Sequence, residues 1–167
     1  MNKNSIWSNK DGLYVGFGVR RTEVNSASTL VAGDNQTRVA VLKIDATQLQ
    51  SAPTGKELAN SVYIPAGSNI KTVRVLVHTA FAGGTSVSVA GYTIADAVDS
   101  ATGFLNAVLT ATLAGGYDNS YVAPGAGAGG GYLATLLATG VKIIPTAVGT
   151  FTAGIATITI EYETPAN

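Results

Sequence analysis

Apolar and polar residues alternate with a period of two over several short stretches of this chain. Leu13, Val15, Phe17 and Val19 share one face while Tyr14, Gly16, Gly18 and Arg20 share the other, the pattern of a half-buried strand. A polar stretch and Gly33-Asp34-Asn35 lead to a second strand, Arg38-Val39-Ala40-Val41-Leu42-Lys43-Ile44. Its apolar residues fall on both faces, so we expect it to be covered on two sides. Residues 46–60 read as a connection with one helical turn at Gly55-Lys56-Glu57-Leu58.

The clearest pattern lies in residues 61–94. Pro65-Ala66-Gly67 breaks a first run, after which Val73, Val75 and Val77 face inward and Thr72, Arg74 and His78 outward. Ala82-Gly83-Gly84-Thr85 has the chemistry of a hairpin turn, and Val87 and Val89 resume the inner face. Residues 104–113 fit either a strand or a short helix, and so do residues 131–139. VKII follows, then a break at Pro145. In the final strand Ala156, Ile158, Ile160 and Tyr162 point inward, with Thr157, Thr159, Glu161 and Glu163 outward. Short strands punctuated by turns, without long helical periods or internal repeats, predict an all-β fold. We expect an antiparallel two-sheet sandwich, jelly-roll-like, with long loops and at most one or two short helices. Residues 1–12 read as an N-terminal arm and residues 13–167 as a single β-sandwich domain.

Composition narrows the chemistry. Only 12% of residues are charged, against about 25% in an ordinary globular domain. The formal net charge is zero, which argues against a generic nucleic-acid partner, because phosphate neutralisation needs a basic surplus. The charges are unevenly placed: residues 1–74 carry nine Lys/Arg and five Asp/Glu, and residues 75–167 carry one and five. Such a split suits head-to-tail packing or docking on a charged lattice, or simply records where turns collected charge. The absence of cysteine removes disulfides, thiolate catalysis and zinc–thiolate sites. No uninterrupted apolar run is long enough for a membrane helix, and no membrane partner is expected. The opening MNKNSIWSNKDG lacks a signal peptide's apolar segment, giving the expectation of a mature chain starting near Met1 and not exported by the general route.

Candidate chemistry is sparse. APGAGAGGG, residues 123–131, holds the spacing G-x-G-x-x-G at Gly125, Gly127 and Gly130. A dinucleotide site also needs a preceding buried strand, a following helix and an acidic residue about 20 positions on. Here the preceding segment is polar and ends in Pro124, and the next acidic residue is Glu161, so no cofactor is expected and the glycines read as a mobile loop. His78 is the only histidine and reads as a surface or packing residue. Asp96 and Asp99 lack the ligand density of a calcium loop. Glu161 and Glu163 share a strand face with nothing to split their pKa values; a solvated edge, or pairing with a neighbouring subunit's cations, suits them better than acid–base work. The Arg20-Arg21 doublet is either a solvated turn or a contact for an acidic surface. Trp7, beside Ile6, either tucks into the chain's own core or anchors the arm on a neighbour. No active site or metal site emerges, and an enzyme is not expected.

The order of several motifs carries a resemblance. WSNKDGLYVGFG, VYIPAGSNIKTVRVLVHTAFAGGTSVSVAGYTI and the closing AGIATITIEYE resemble virion structural proteins of tailed bacteriophages, particularly those of cyanobacterial and marine hosts. Most of the chain is covered, though residues 95–140 carry no matching motif. The resemblance implies a capsid decoration, or cement, protein: a small β-sandwich on the outside of an icosahedral head, commonly a homotrimer, with the major capsid protein as partner. It also implies synthesis in the bacterial cytoplasm. Under that reading the candidate contacts are Ile6, Trp7, Arg20, Arg21 and the glycine loop, with Gly127, Gly129 and the flanking Tyr121 and Tyr132. The alternative is a receptor- or glycan-binding module of a head fibre or tail appendage, with Tyr117, Tyr121 and Tyr132 as an exposed sugar platform.

Overall fold

The structure, a computed structural model, describes residues 6–8, 14–16, 37–46, 49, 53–125 and 127–164. Its contacts fall into two units, residues 37–164 and residues 1–36 with 165–167. In the latter, β1 (Ile6–Ser8) and β2 (Tyr14–Gly16) pair antiparallel with Trp7 opposite Val15. The strand expected from Leu13 is thus described over Tyr14–Gly16 only; Phe17, Val19, Arg20 and Arg21 lie outside the described residues.

The unit over residues 37–164 is an all-β sandwich. Its elements are β3 (Thr37–Asp45), a short helix α1 (Gly55–Ala59), β4 (Val62–Ile64), β5 (Asn69–Gly83), β6 (Ser86–Tyr92), β7 (Val98–Leu109), β8 (Asp118–Tyr121), β9 (Val141–Val148) and β10 (Phe151–Glu163). Two four-stranded antiparallel sheets run in the orders β3-β10-β5-β8 and β4-β9-β6-β7. The chain changes sheet at every step except β6 to β7, and its first and last strands are neighbours. That is the strand order of a jelly roll.

Alternation sets the register. Val73, Val75 and Val77 of β5 and Ala156, Ile158 and Ile160 of β10 are buried, in one cluster with Val87, Val89, Phe104, Leu105 and Ile143 of the other sheet. Each such Val or Ile contributes about 1.5–3 kcal/mol by leaving water, and a one-residue slip would expose the whole row. The other face of the second sheet carries a smaller cluster, where Leu58 of α1 packs with Ala90, Tyr92 and Ile144. The helical turn expected at residues 55–58 is this α1, opened by Thr54, whose N–H donates to the Glu57 carboxylate at 2.5 Å.

Several local expectations are corrected. β3 is an edge strand covered on one face only: Ala40 and Ile44 are buried, whereas Val39 and Val41 are 54% and 57% exposed. Ala82-Gly83-Gly84-Thr85 is not a hairpin, because β5 and β6 belong to opposite sheets. Gly83 and Gly84, with φ of 74° and 54°, instead turn the chain across the sandwich. The hairpin lies at residues 93–97, closed by Thr93 N–H to Ala97 O and pairing β6 with β7. Pro145 does not break β9: β4 pairs only with Val141–Ile143, so beyond that point β9 needs no N–H on that side. Residues 104–113 are strand through Leu109 and a 3-10 turn at Thr110–Thr112. Residues 131–139 are neither helix nor strand; they are turns holding Leu133 and Leu137 in the core, with isolated bridges from Leu133 to Ile70 and Leu136 to Asn69. Glu161 and Glu163 are not at an edge, since β10 is central, and Glu163 pairs at 3.0 Å with Lys71 of its own chain.

Candidate functional site

The two sheets have four edge strands, β3 and β8 in one and β4 and β7 in the other, and among them β7 and β3 are built differently. At one, the outer side of β7 is occupied by the glycine segment. The Asn106 N–H donates to Ala128 O at 2.7 Å, and the N–H groups of Gly130, Gly131 and Tyr132 donate to the carbonyls of Phe104, Thr102 and Gly103. Leu105 bridges Gly129 antiparallel. Contact this close requires glycine: a Cβ on Gly129 would sit 2.2 Å from Ala123 O, and one on Gly130 2.4 Å from Gly103 O. Gly125 and Gly127, with φ of 72° and 62°, make the turn that brings the segment back.

The expected mobile loop is therefore a segment fastened along an edge strand, which is a known way of blunting such an edge. The amides that would cradle a phosphate are spent as well. Gly130 and Gly131 donate to β7, and Gly125 donates to Gly129 O at 3.0 Å.

The flanking tyrosines serve the same edge. Tyr121, on β8, is only 6% exposed, and its hydroxyl lies 2.6 Å from that of Tyr117. Burial, helped by that hydrogen bond, pushes its pKa up to about 12. Tyr132 is half-buried, meets Phe104 edge-to-face at 5.0 Å and fills the space left beside Gly91 and Gly103. Its hydroxyl donates to the Asp99 carboxylate; burial first, then this carboxylate, hold its pKa well above the ordinary value. Tyr121 and Gly129 are thus buried in the chain's own fold, and Tyr117 and Tyr132 are half-buried, so the tyrosines expected as an exposed platform are partly taken up by the core. Gly127 is exposed. Ile6 and Trp7 are placed by backbone pairing in β1, and Arg20 and Arg21 lie outside the described residues.

The remaining candidates are engaged structurally. His78 lies 2.8 Å from the Thr157 hydroxyl, on the exposed face of the first sheet. Asp96 pairs with Lys142 at 2.5 Å, and Arg74 holds Asp118 through two hydrogen bonds of 2.8 and 2.5 Å. The hydrogen bond from Arg74 lowers the Asp118 pKa, and this pair stands in solvent. Among the described residues no group of three His, Cys, Asp or Glu side chains is placed to hold a metal ion.

The β3 edge differs. Among the described residues β3 pairs only with β10, leaving its other side without a strand partner. Beside it a cleft of about 530 Å³ runs between β3, α1 and β9. Leu42, Ile44, Ile143, Ile144 and Pro145 give it apolar walls, and Lys43 and Lys56 line it with cations that no described carboxylate pairs. The sequence reading missed this site because it took Val39 and Val41 for buried residues. The usable signal was the basic character of the first 74 residues, to which Arg38, Lys43 and Lys56 belong.

No protein-family model matches this sequence, and no curated protein or solved structure matches it.

Proposed function

We propose that this chain is a structural virion protein that binds the outer surface of a phage head and stabilises it by bridging major capsid protein subunits. The observation that carries the reading is the β3 edge of the jelly roll, which among the described residues has a strand partner on one side only. Among the described residues His78, Asp96, Asp99 and Asp118 are each engaged by another side chain, while a nine-residue strand has Val39 and Val41 exposed. A jelly roll alone fixes no function. Its pairing with such an edge suits association rather than turnover, and the resemblance to decoration proteins names the assembly.

In this reading the protein is made in the bacterial cytoplasm, assembles as a trimer and sits on the capsid exterior. Anything that binds the intact shell but not its separated subunits raises shell stability by linkage. Repetition over a lattice multiplies modest contacts. The test uses heads stripped of this protein and then re-decorated. Re-decorated heads are expected to retain their DNA at temperatures where stripped heads release it. Equal release from both, or no co-sedimentation with the shell, overturns the proposal.

A further inference from the structure

We infer that Asn119 is a self-modifying site, whose side chain closes a succinimide ring onto the Ser120 amide nitrogen and ages to aspartate and isoaspartate. One hydrogen bond singles it out. The Ser120 N–H donates to the Asn119 side-chain oxygen at 2.9 Å, so the nitrogen that must attack Cγ already lies against the amide to which Cγ belongs. Among the described asparagines, the following amide is bonded in this way at Asn119 alone. The amide after Asn60 donates to Leu58 O at 3.4 Å, and the one after Asn69 donates to Thr135 O at 3.4 Å. The one after Asn106 donates to the Ser88 hydroxyl at 3.0 Å. Asn60 is the natural comparison, because it too is exposed and precedes a serine. Its side-chain amide is instead tied to Lys56 O at 3.1 Å.

The other side of the Asn119 amide meets an acid. Its Nδ2 donates to the Tyr117 hydroxyl at 3.1 Å, and that hydroxyl lies 2.6 Å from the hydroxyl of Tyr121. Hydroxide takes the Ser120 N–H proton, the nitrogen forms a bond to Cγ, and the Cγ–Nδ2 bond breaks. The departing nitrogen takes the Tyr117 proton and leaves as ammonia, and water reprotonates the phenolate and restores the hydroxide. Water then opens the ring: cleavage at Cγ gives aspartate, and cleavage at the backbone carbonyl gives isoaspartate. The strand permits the approach. β8 is four residues long and has β5 as its one strand partner among the described residues, so opening it locally costs little. Both products add a carboxylate beside Asp118, and isoaspartate adds a carbon to the backbone of the strand that carries Tyr121. The reaction needs no partner, so it proceeds whether or not the chain sits on a phage head.

The test incubates the folded full-length protein at mildly alkaline pH, with a parallel sample in urea. The Asn119 and Asn60 peptides are followed by mass spectrometry after chymotryptic digestion, with isoaspartate separated from aspartate by chromatography. Both sites have the sequence Asn-Ser, so the unfolded chain gives their common rate. In the folded protein Asn119 is expected to convert at least about tenfold faster than Asn60, and no more slowly than it does in urea. Tyr117→Phe, with its fold checked by circular dichroism, should slow conversion of Asn119 and leave Asn60 unchanged. Equal rates at the two sites in the folded protein overturn the inference, and so does faster conversion at Asn60. A folded Tyr117→Phe variant that converts Asn119 at the parental rate also overturns it. If that variant does not fold, the parent protein decides: slower conversion of Asn119 in the folded state than in urea overturns the inference.

Discussion

Two edge strands of this sandwich, β7 and β3, face the same physical problem and meet it differently. An edge strand exposes unpaired backbone groups that invite another strand. At the β7 edge the invitation is answered within the chain: four backbone hydrogen bonds tie residues 128–132 to residues 102–106, and Tyr132 seals the end of the core over Gly91 and Gly103. At the β3 edge, among the described residues, no strand does so, and Val39, Val41, Arg38 and Lys43 remain exposed. A glycine-rich segment with the spacing of a nucleotide loop thus serves closure, and a strand that looks buried by composition serves exposure.

The largest expected effect comes from breaking the closed edge. Gly130→Ala drives a Cβ into the Gly103 carbonyl and Phe104 backbone, atoms that cannot swing aside, and should cost about 3 kcal/mol in urea unfolding. Its neighbour is the control: a Cβ on Gly131 meets nothing within 4 Å, so Gly131→Ala should stay within about 0.5 kcal/mol of the parent. Equal losses at the two positions would mean that the segment is not seated on β7 as described.

Alkali should loosen the same edge next. Tyr121 and Tyr132 both have raised pKa values in the folded state, so folding holds their protons more tightly than the unfolded chain does. Their contribution is fully present below the ordinary tyrosine value of about 10 and is lost as pH rises from there through the folded values, at no more than about 1.4 kcal/mol per pH unit for each tyrosine. Unfolding midpoints measured from pH 8 to 12 should fall along this limb, and Tyr132→Phe should make the fall shallower.

Substitutions at the β3 edge should do the reverse, changing association and hardly touching stability. Val39→Lys with Val41→Lys should move the unfolding free energy by no more than about 0.5 kcal/mol, because both side chains already face solvent. The same pair should weaken capsid co-sedimentation; a large loss of stability would show that β3 is covered. The smallest effect belongs to Arg74→Ala. Asp118 then loses the hydrogen bond that lowers its pKa, and with it a small stabilising contribution that is present above the ordinary carboxylate range and lost as pH falls through the folded value. The difference from the parent should be seen at neutral pH, vanish on acidification and fade with salt, as for any exposed pair.

The readable parts of this fold are those where one face is buried and the other wet. The parity of β10 and of Val73, Val75 and Val77 in β5 follows from alternation alone. Alternation says nothing of which strands become neighbours, so the Gly83-Gly84 turn reads as a hairpin although it joins different sheets. An edge strand with apolar residues outward looks like a strand covered twice, which hid β3. Pro145 looks like a break because the short length of β4 is invisible locally. The glycine segment shows only its lack of side chains in the sequence; that those glycines permit backbone contact with β7 depends on residues some 25 positions away. For the candidate site, the cations were visible but the cleft was not, since it is shaped by β3, α1 and β9 together.

Amide hydrogen exchange on the free full-length protein tests the contrast between the edges most directly. The account predicts slow exchange at Asn106, Gly130, Gly131 and Tyr132, whose N–H groups are bonded across the β7 edge, and fast exchange at alternate amides of β3, whose outer side has no strand partner among the described residues. Slow exchange at every amide of β3, or fast exchange at residues 130–132, would contradict it.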